Sequence, residues 1–111
     1  MPIYITQGRY TRDAVKGMLV KPEDRTEAVS RLMGKVGGKL IGYYLTFGEY
    51  DFMLIAEAPD NTQMAAALLA AGSGAGVTDL KTTVAMTSIE AKGAFAAASD
   101  IAPGFRSPGG V

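Results

Sequence analysis

The chain has 111 residues, no Cys and no His, and its eleven Lys and Arg are balanced by eleven Asp and Glu. That balance leaves no global field to attract nucleic acid or an anionic membrane. The missing residue types exclude thiolate nucleophiles, structural zinc sites and His-based acid–base chemistry. A single domain that buries about 65% of its unfolded surface is expected.

The charge is uneven: eight basic residues and four acids lie at or before Lys39, three basic residues and seven acids after it. The two halves carry +4 and −4, which reads as a solvated basic helix face rather than a binding patch. Apolar runs fall short of the ~18 residues of a membrane span, and the start lacks a charged leader. A cytoplasmic protein is expected, with no membrane or nucleic-acid partner, no metal and no cofactor.

In chain order, Pro2–Gly8 alternates Ile3 and Ile5 with Tyr4 and Thr6 and reads as a first strand. Thr11 is a candidate N-cap for a short helical stretch that pairs Ala14 and Val15 with Met18 and Leu19. Pro22 suits the first position of a second helix, whose stripe is Val29, Leu32, Met33 and Val36 and whose stop is Gly37-Gly38. Residues 39–58 read as two strands joined at Gly48-Glu49, with Gly48 opening a type II′ turn. That turn opposes Phe47 to Tyr50, Thr46 to Asp51, Leu45 to Phe52, Tyr44 to Met53 and Tyr43 to Leu54. Asp60 and Gln63 form a capping box for a helix ending at the Gly-rich residues 72–76. A strand from Val77 follows, then a helical 88–100 and a Pro/Gly-rich end.

Strand, helix, strand, strand, helix, strand is the order of the ferredoxin-like split unit, an α+β fold with an antiparallel four-stranded sheet. Residues 1–88 would form this domain and 89–111 a helical extension with a mobile tail. Side chains alternate along the hairpin, so its faces read separately. Ile41, Tyr43, Leu45, Phe47, Tyr50, Phe52, Leu54 and Ala56 form an apolar face. Leu40, Gly42, Tyr44, Thr46, Asp51, Met53, Ile55 and Glu57 form one that is apolar with polar ends. Two helices cover only one face, and a bare apolar second face is an aggregation hazard. Pairing with another copy, as a dimer or a higher even-numbered oligomer, is therefore expected.

Residues 37–60, GGKLIGYYLTFGEYDFMLIAEAPD, resemble the GYD-domain family of the dimeric α+β-barrel group, with Gly48, Tyr50 and Asp51 in the naming positions. The resemblance runs from the start to about Met86 and implies the fold and a dimer. It implies no activity, since the family has none established. Residues 46–84 are also similar to the effector-binding domain of the Lrp/AsnC regulators. There, small amino acids bind between subunits, which implies a free-standing sensing module here. The opening MPIYI is similar to the start of the tautomerase family, in which an N-terminal Pro acts as general base. For Pro2 the alternative is a Pro that simply opens the first strand.

A small-molecule site between sheet and partner would use Tyr44, Thr46, Tyr50, Asp51 and Met53. Asp51 has two readings: a general base or ligand acceptor, or a brace that accepts backbone N–H bonds at the turn. In the first case a cofactor-free isomerase or monooxygenase is the alternative to a sensing module. Glu57, six residues on along the same strand, stands roughly 20 Å from Asp51 and forms no carboxylate pair with it within one chain.

Overall fold

A computed structural model describes residues 1–110 and joins four strands in one antiparallel sheet ordered β2-β3-β1-β4. The strands are β1 (Ile3–Tyr10), β2 (Lys39–Leu45), β3 (Phe52–Glu57) and β4 (Val77–Ala85). Helices α1 (Arg12–Val20) and α2 (Thr26–Lys35) cross from β1 to β2, and α3 (Asn61–Ser73) crosses from β3 to β4. Each crossover joins strands that run in the same direction, and right-handed crossovers put both sets of helices on one face. This is the expected ferredoxin-like order, with α1 added.

The helix ends follow local chemistry. Thr11 caps α1 by accepting the Ala14 amide at 3.1 Å, and Asp60 caps α3 by accepting that of Gln63 at 2.8 Å. The second helix starts later than its proline predicts. Residues Pro22–Arg25 link α1 to α2, and the Asp24 carboxylate accepts the Thr26 amide at 2.9 Å. Hydrogen bonding from Thr26 holds the Asp24 carboxyl below its usual range. Pro22 permits a helix start; the side chain able to accept the first free amide decides where it occurs.

The core lies between the sheet and helices α2 and α3, around Tyr4, Met33, Phe52, Leu54, Ala56 and Met64. The predicted stripe of α2 packs there, through buried Met33 with Val29, Leu32 and Val36. On β1 the polar-looking set is the buried one. Tyr4 is 2% exposed and Thr6 1%, whereas Ile3 and Ile5 are half-buried on the other face. Both polar groups are satisfied: the Tyr4 hydroxyl donates to Asn61 at 2.6 Å, and the Thr6 hydroxyl bonds that of Thr82 at 2.8 Å.

Two irregularities decide which side chains reach the core. On β2, Leu40 pairs with Ala56 and Gly42 with Ile55, which leaves Ile41 as an extra residue. Leu40 therefore joins Tyr43 on the helix side, correcting the strict alternation expected of the hairpin, and Ile41 is exposed. On β4, opposite Gly8, an extra residue accompanies Asp79 at φ +53°, so Val77 and Leu80 both pack on the core. Gly8 has no room for a side chain, since a Cβ there would stand 2.6 Å from the Phe52 ring and 2.7 Å from Leu80.

The last helix, α4 (Ser88–Ile101), stands apart. Thr87 and Glu90 form a full capping box at its start, but none of its residues is buried, and Phe95 is 76% exposed. The chain measures 62 × 31 × 21 Å with a radius of gyration of 18.3 Å, against about 13 Å for a compact domain of this length. A short 3-10 turn follows at Ala102–Gly104.

Candidate functional site

The hairpin end holds three of the residues singled out from sequence. Thr46 donates its amide to the Asp51 carbonyl and its hydroxyl to the Tyr50 carbonyl, both at 2.8 Å. Asp51 continues inward: its amide donates to the Gly8 carbonyl at 2.8 Å, and its carboxylate accepts the Tyr10 amide at 2.9 Å. This is a bracing contact, because it secures an amide of the central strand where β4 breaks register. It occupies one of the two carboxylate oxygens. Tyr50 carries the Arg9 guanidinium over its ring, 5.4 Å from the centroid, and Arg9 also donates to the Glu49 carbonyl at 2.8 Å.

The predicted register holds from Leu45–Phe52 to Tyr43–Leu54. The tip does not close as a two-residue turn: no backbone bond joins Phe47 to Tyr50 among the described residues, and Phe47 is 97% exposed. Gly48 lies at φ +101°, a conformation that favours glycine. The two arms are instead joined one residue back from the tip by the bonds from Thr46, while Glu49 and Asp51 bond to β1.

Tyr44 and Met53 face each other across β2 and β3 on the helix-free side of the sheet. The Tyr44 ring folds back over Gly42, where an added Cβ would meet it at 2.8–3.0 Å. Ile3, Ile5 and Ile55 share that face and remain half-buried, with no described helix laid over them. Thus Tyr44 and Met53 belong to the sheet face, and Thr46, Tyr50 and Asp51 to the hairpin end beside it. Pro2 accepts the Ala58 amide at 3.2 Å just before β1. Among the described residues, no three acidic side chains gather as metal ligands do.

A cavity lies on the opposite side. Helix α2 packs over β2 and α3 over β4, so the central strands between them are incompletely covered. The gap is a cavity of about 240 Å³ with Thr6, Phe52 and Leu54 of the sheet, Met33 of α2 and Met64 of α3 in its walls. At one end Phe52 stands between Tyr10 and Tyr43, with ring centroids 5.1 and 5.7 Å away. The two tyrosine hydroxyls bond each other. Burial, then the bond to Tyr10, pushes the Tyr43 phenol well up, against the pull of Arg25 nearby. None of the five residues assigned from sequence lines this cavity. The signal that could have found it is two tyrosines on inward-facing positions, whose hydroxyls need partners inside an apolar core.

Comparison with known proteins agrees with this architecture. A Thermus thermophilus protein named glutamine synthetase and cystathionine beta-lyase binding protein is 30% identical over 69 residues, covering 62% of this chain and 73% of the relative. A crystal structure of a Thermus thermophilus protein is similar at a TM-score of 0.52 and 16% identity, covering 79% of this chain and 96% of that one. A Neisseria meningitidis transcriptional regulator, solved with L-methionine, is similar at 0.57 and 18% identity over 79% of this chain. This chain spans 51% of the regulator, and both likenesses are of fold. The GYD domain model matches residues 4–95, which takes in the sheet from the second residue of β1 onward, the hairpin and the first half of α4. On that match the chain belongs to the GYD-domain family.

Proposed function

We propose that this protein is a self-associating binding module that pairs through the helix-free face of its sheet and holds a small molecule between the paired sheets. One observation carries the reading. Ile3, Ile5, Met53 and Ile55 form an apolar strip, edged by Gln7, Glu57 and Lys81, that no described element covers, and monomers rarely leave such a surface bare. Tyr44 and Met53 would line the enclosed space. Thr46, Tyr50 and Asp51 would form its polar end, with Asp51 as ligand acceptor. The regulator solved with L-methionine has the same fold, which makes amino acids the first ligands to try.

Sedimentation velocity tests the pairing. The native protein should run as a dimer or higher even-numbered species, and Ile55→Asp as a folded monomer. A native monomer at tens of micromolar sinks the proposal. For the ligand, an L-amino acid panel should contain at least one member that raises the melting temperature of the native protein, as preferential binding to the folded state requires. The same compound should leave Tyr44→Ala unmoved.

A second reading is a protein-binding module that docks on a metabolic enzyme. The name of the Thermus relative favours it, as does α4, which projects with Ile89, Phe95 and Ile101 exposed. Gel filtration with glutamine synthetase from the same source would give a joint peak, lost when residues 89–111 are removed.

A further inference from the structure

We propose a second binding site, on the opposite side of the sheet from the one above and independent of self-association: the cavity between α2, α3 and the sheet takes an amphipathic monocarboxylate. Its walls are apolar, made by Met33, Leu54, Met64, Leu68 and Leu80 around about 240 Å³. A cavity of about 150 Å³ holds a benzene ring, so this one takes an apolar body of roughly eight to ten carbons.

The polar groups gather at one end. Of the Tyr10 and Tyr43 hydroxyls one donates to the other, and that is the only hydrogen bond either makes among the described residues. The pair therefore keeps one O–H proton to donate. Beside it stands Arg25, which lines both the cavity and an adjoining cleft of about 380 Å³ that also contains Lys21 and Glu23. The two spaces share Tyr10, Arg25, Gly76 and Val77 in their walls and so lie side by side. Arg25 is bonded at 2.9 Å to Glu23, in a pair exposed on both sides. Such surface pairs contribute little and exchange readily for a better acceptor. An apolar chamber ending in a phenol proton and a guanidinium, with Lys21 in the neighbouring cleft, matches a carboxylate with a hydrocarbon tail.

The methionines make the site readable. Met33 and Met64 line the cavity, while Met53 lies on the other face of the sheet. With methyl-labelled Met, sodium octanoate should move the Met33 and Met64 signals and leave Met53 in place, saturating at one per chain by calorimetry. Octan-1-ol, the neutral counterpart, should bind at least tenfold more weakly. Arg25→Gln, a surface change that spares the fold, should remove most of that preference, and Leu in place of Ala71 of the cavity wall (Ala71→Leu), which fills the space, should abolish both shifts. No shift of Met33 and Met64 at millimolar octanoate overturns the site. Equal affinity for acid and alcohol overturns the carboxylate assignment. Movement of Met53 alone overturns the cavity and points to the inter-sheet site instead.

Discussion

Strand β3 presents two apolar faces with opposite fates. Phe52, Leu54 and Ala56 are buried beneath helices, while Met53 and Ile55, between them in sequence, lie half-buried on a bare face. Hydrophobicity does not separate the two sets. The difference teaches that the hand of the crossovers, set by strand twist and helix sense, selects the covered face. The other face is just as apolar, yet no described element of this chain is laid over it.

The largest expected effect breaks that comparison directly. Phe52→Ala should destabilise the fold by about 3–5 kcal/mol in urea unfolding, whereas Met53→Ala should change monomer stability far less and show itself in association. Equal losses would mean that the faces are not energetically distinct. Next, Asp51→Ala leaves the Tyr10 amide without its acceptor and should cost about 1–3 kcal/mol, with Asp51→Asn recovering part of it. Turnover of some substrate lost in Asp51→Asn with full stability would make the carboxylate a base instead of a brace.

A smaller effect concerns pH. Tyr43 is held neutral in the folded chain, with its phenol raised above the unfolded value of about 10. Above that pH the unfolded state releases a proton that the folded state keeps, so stability falls as pH rises. The contribution is complete below pH ~10 and is lost through the alkaline range. Tyr43→Phe should flatten that part of the melting-temperature profile. The smallest effect sharpens the contrast between sheet and arm. Removal of residues 89–111 should alter monomer stability by no more than about 0.5 kcal/mol, because α4 buries none of its residues. A large loss would show that α4 packs on its own sheet or helices, and a loss seen only in the associated protein that it packs on a partner copy.

Much of this is legible in the sequence because it is local. Thr11 and Asp60 are caps by their own chemistry, and the stripe of α2 follows from helical period. The pairing of Leu45 with Phe52 follows from where Gly48 lies. The start of α2 escapes such a reading because Pro22 allows a helix, but the Asp24 carboxylate, one residue before the cap, accepts the Thr26 amide. The faces of β2 escape it at Ile41, since an extra residue reverses alternation and leaves no mark in composition. The candidate site is legible only in part: Thr46, Tyr50 and Asp51 do meet at the hairpin end, but through bonds to one another and to β1.

By itself the sequence determined the elements, their order and the two-sided apolar hairpin, because caps, turns and periodicity act over a few residues. Only the tertiary structure decided that Tyr4 and Thr6 go inward while Ile3 and Ile5 stay out. It also decided that Asp51 reaches across to Tyr10, and that α2 and α3 part to leave a cavity ending in two tyrosines. Those outcomes depend on crossover hand, strand register and helix separation, which join residues dozens of positions apart and leave no trace in any single stretch of chain.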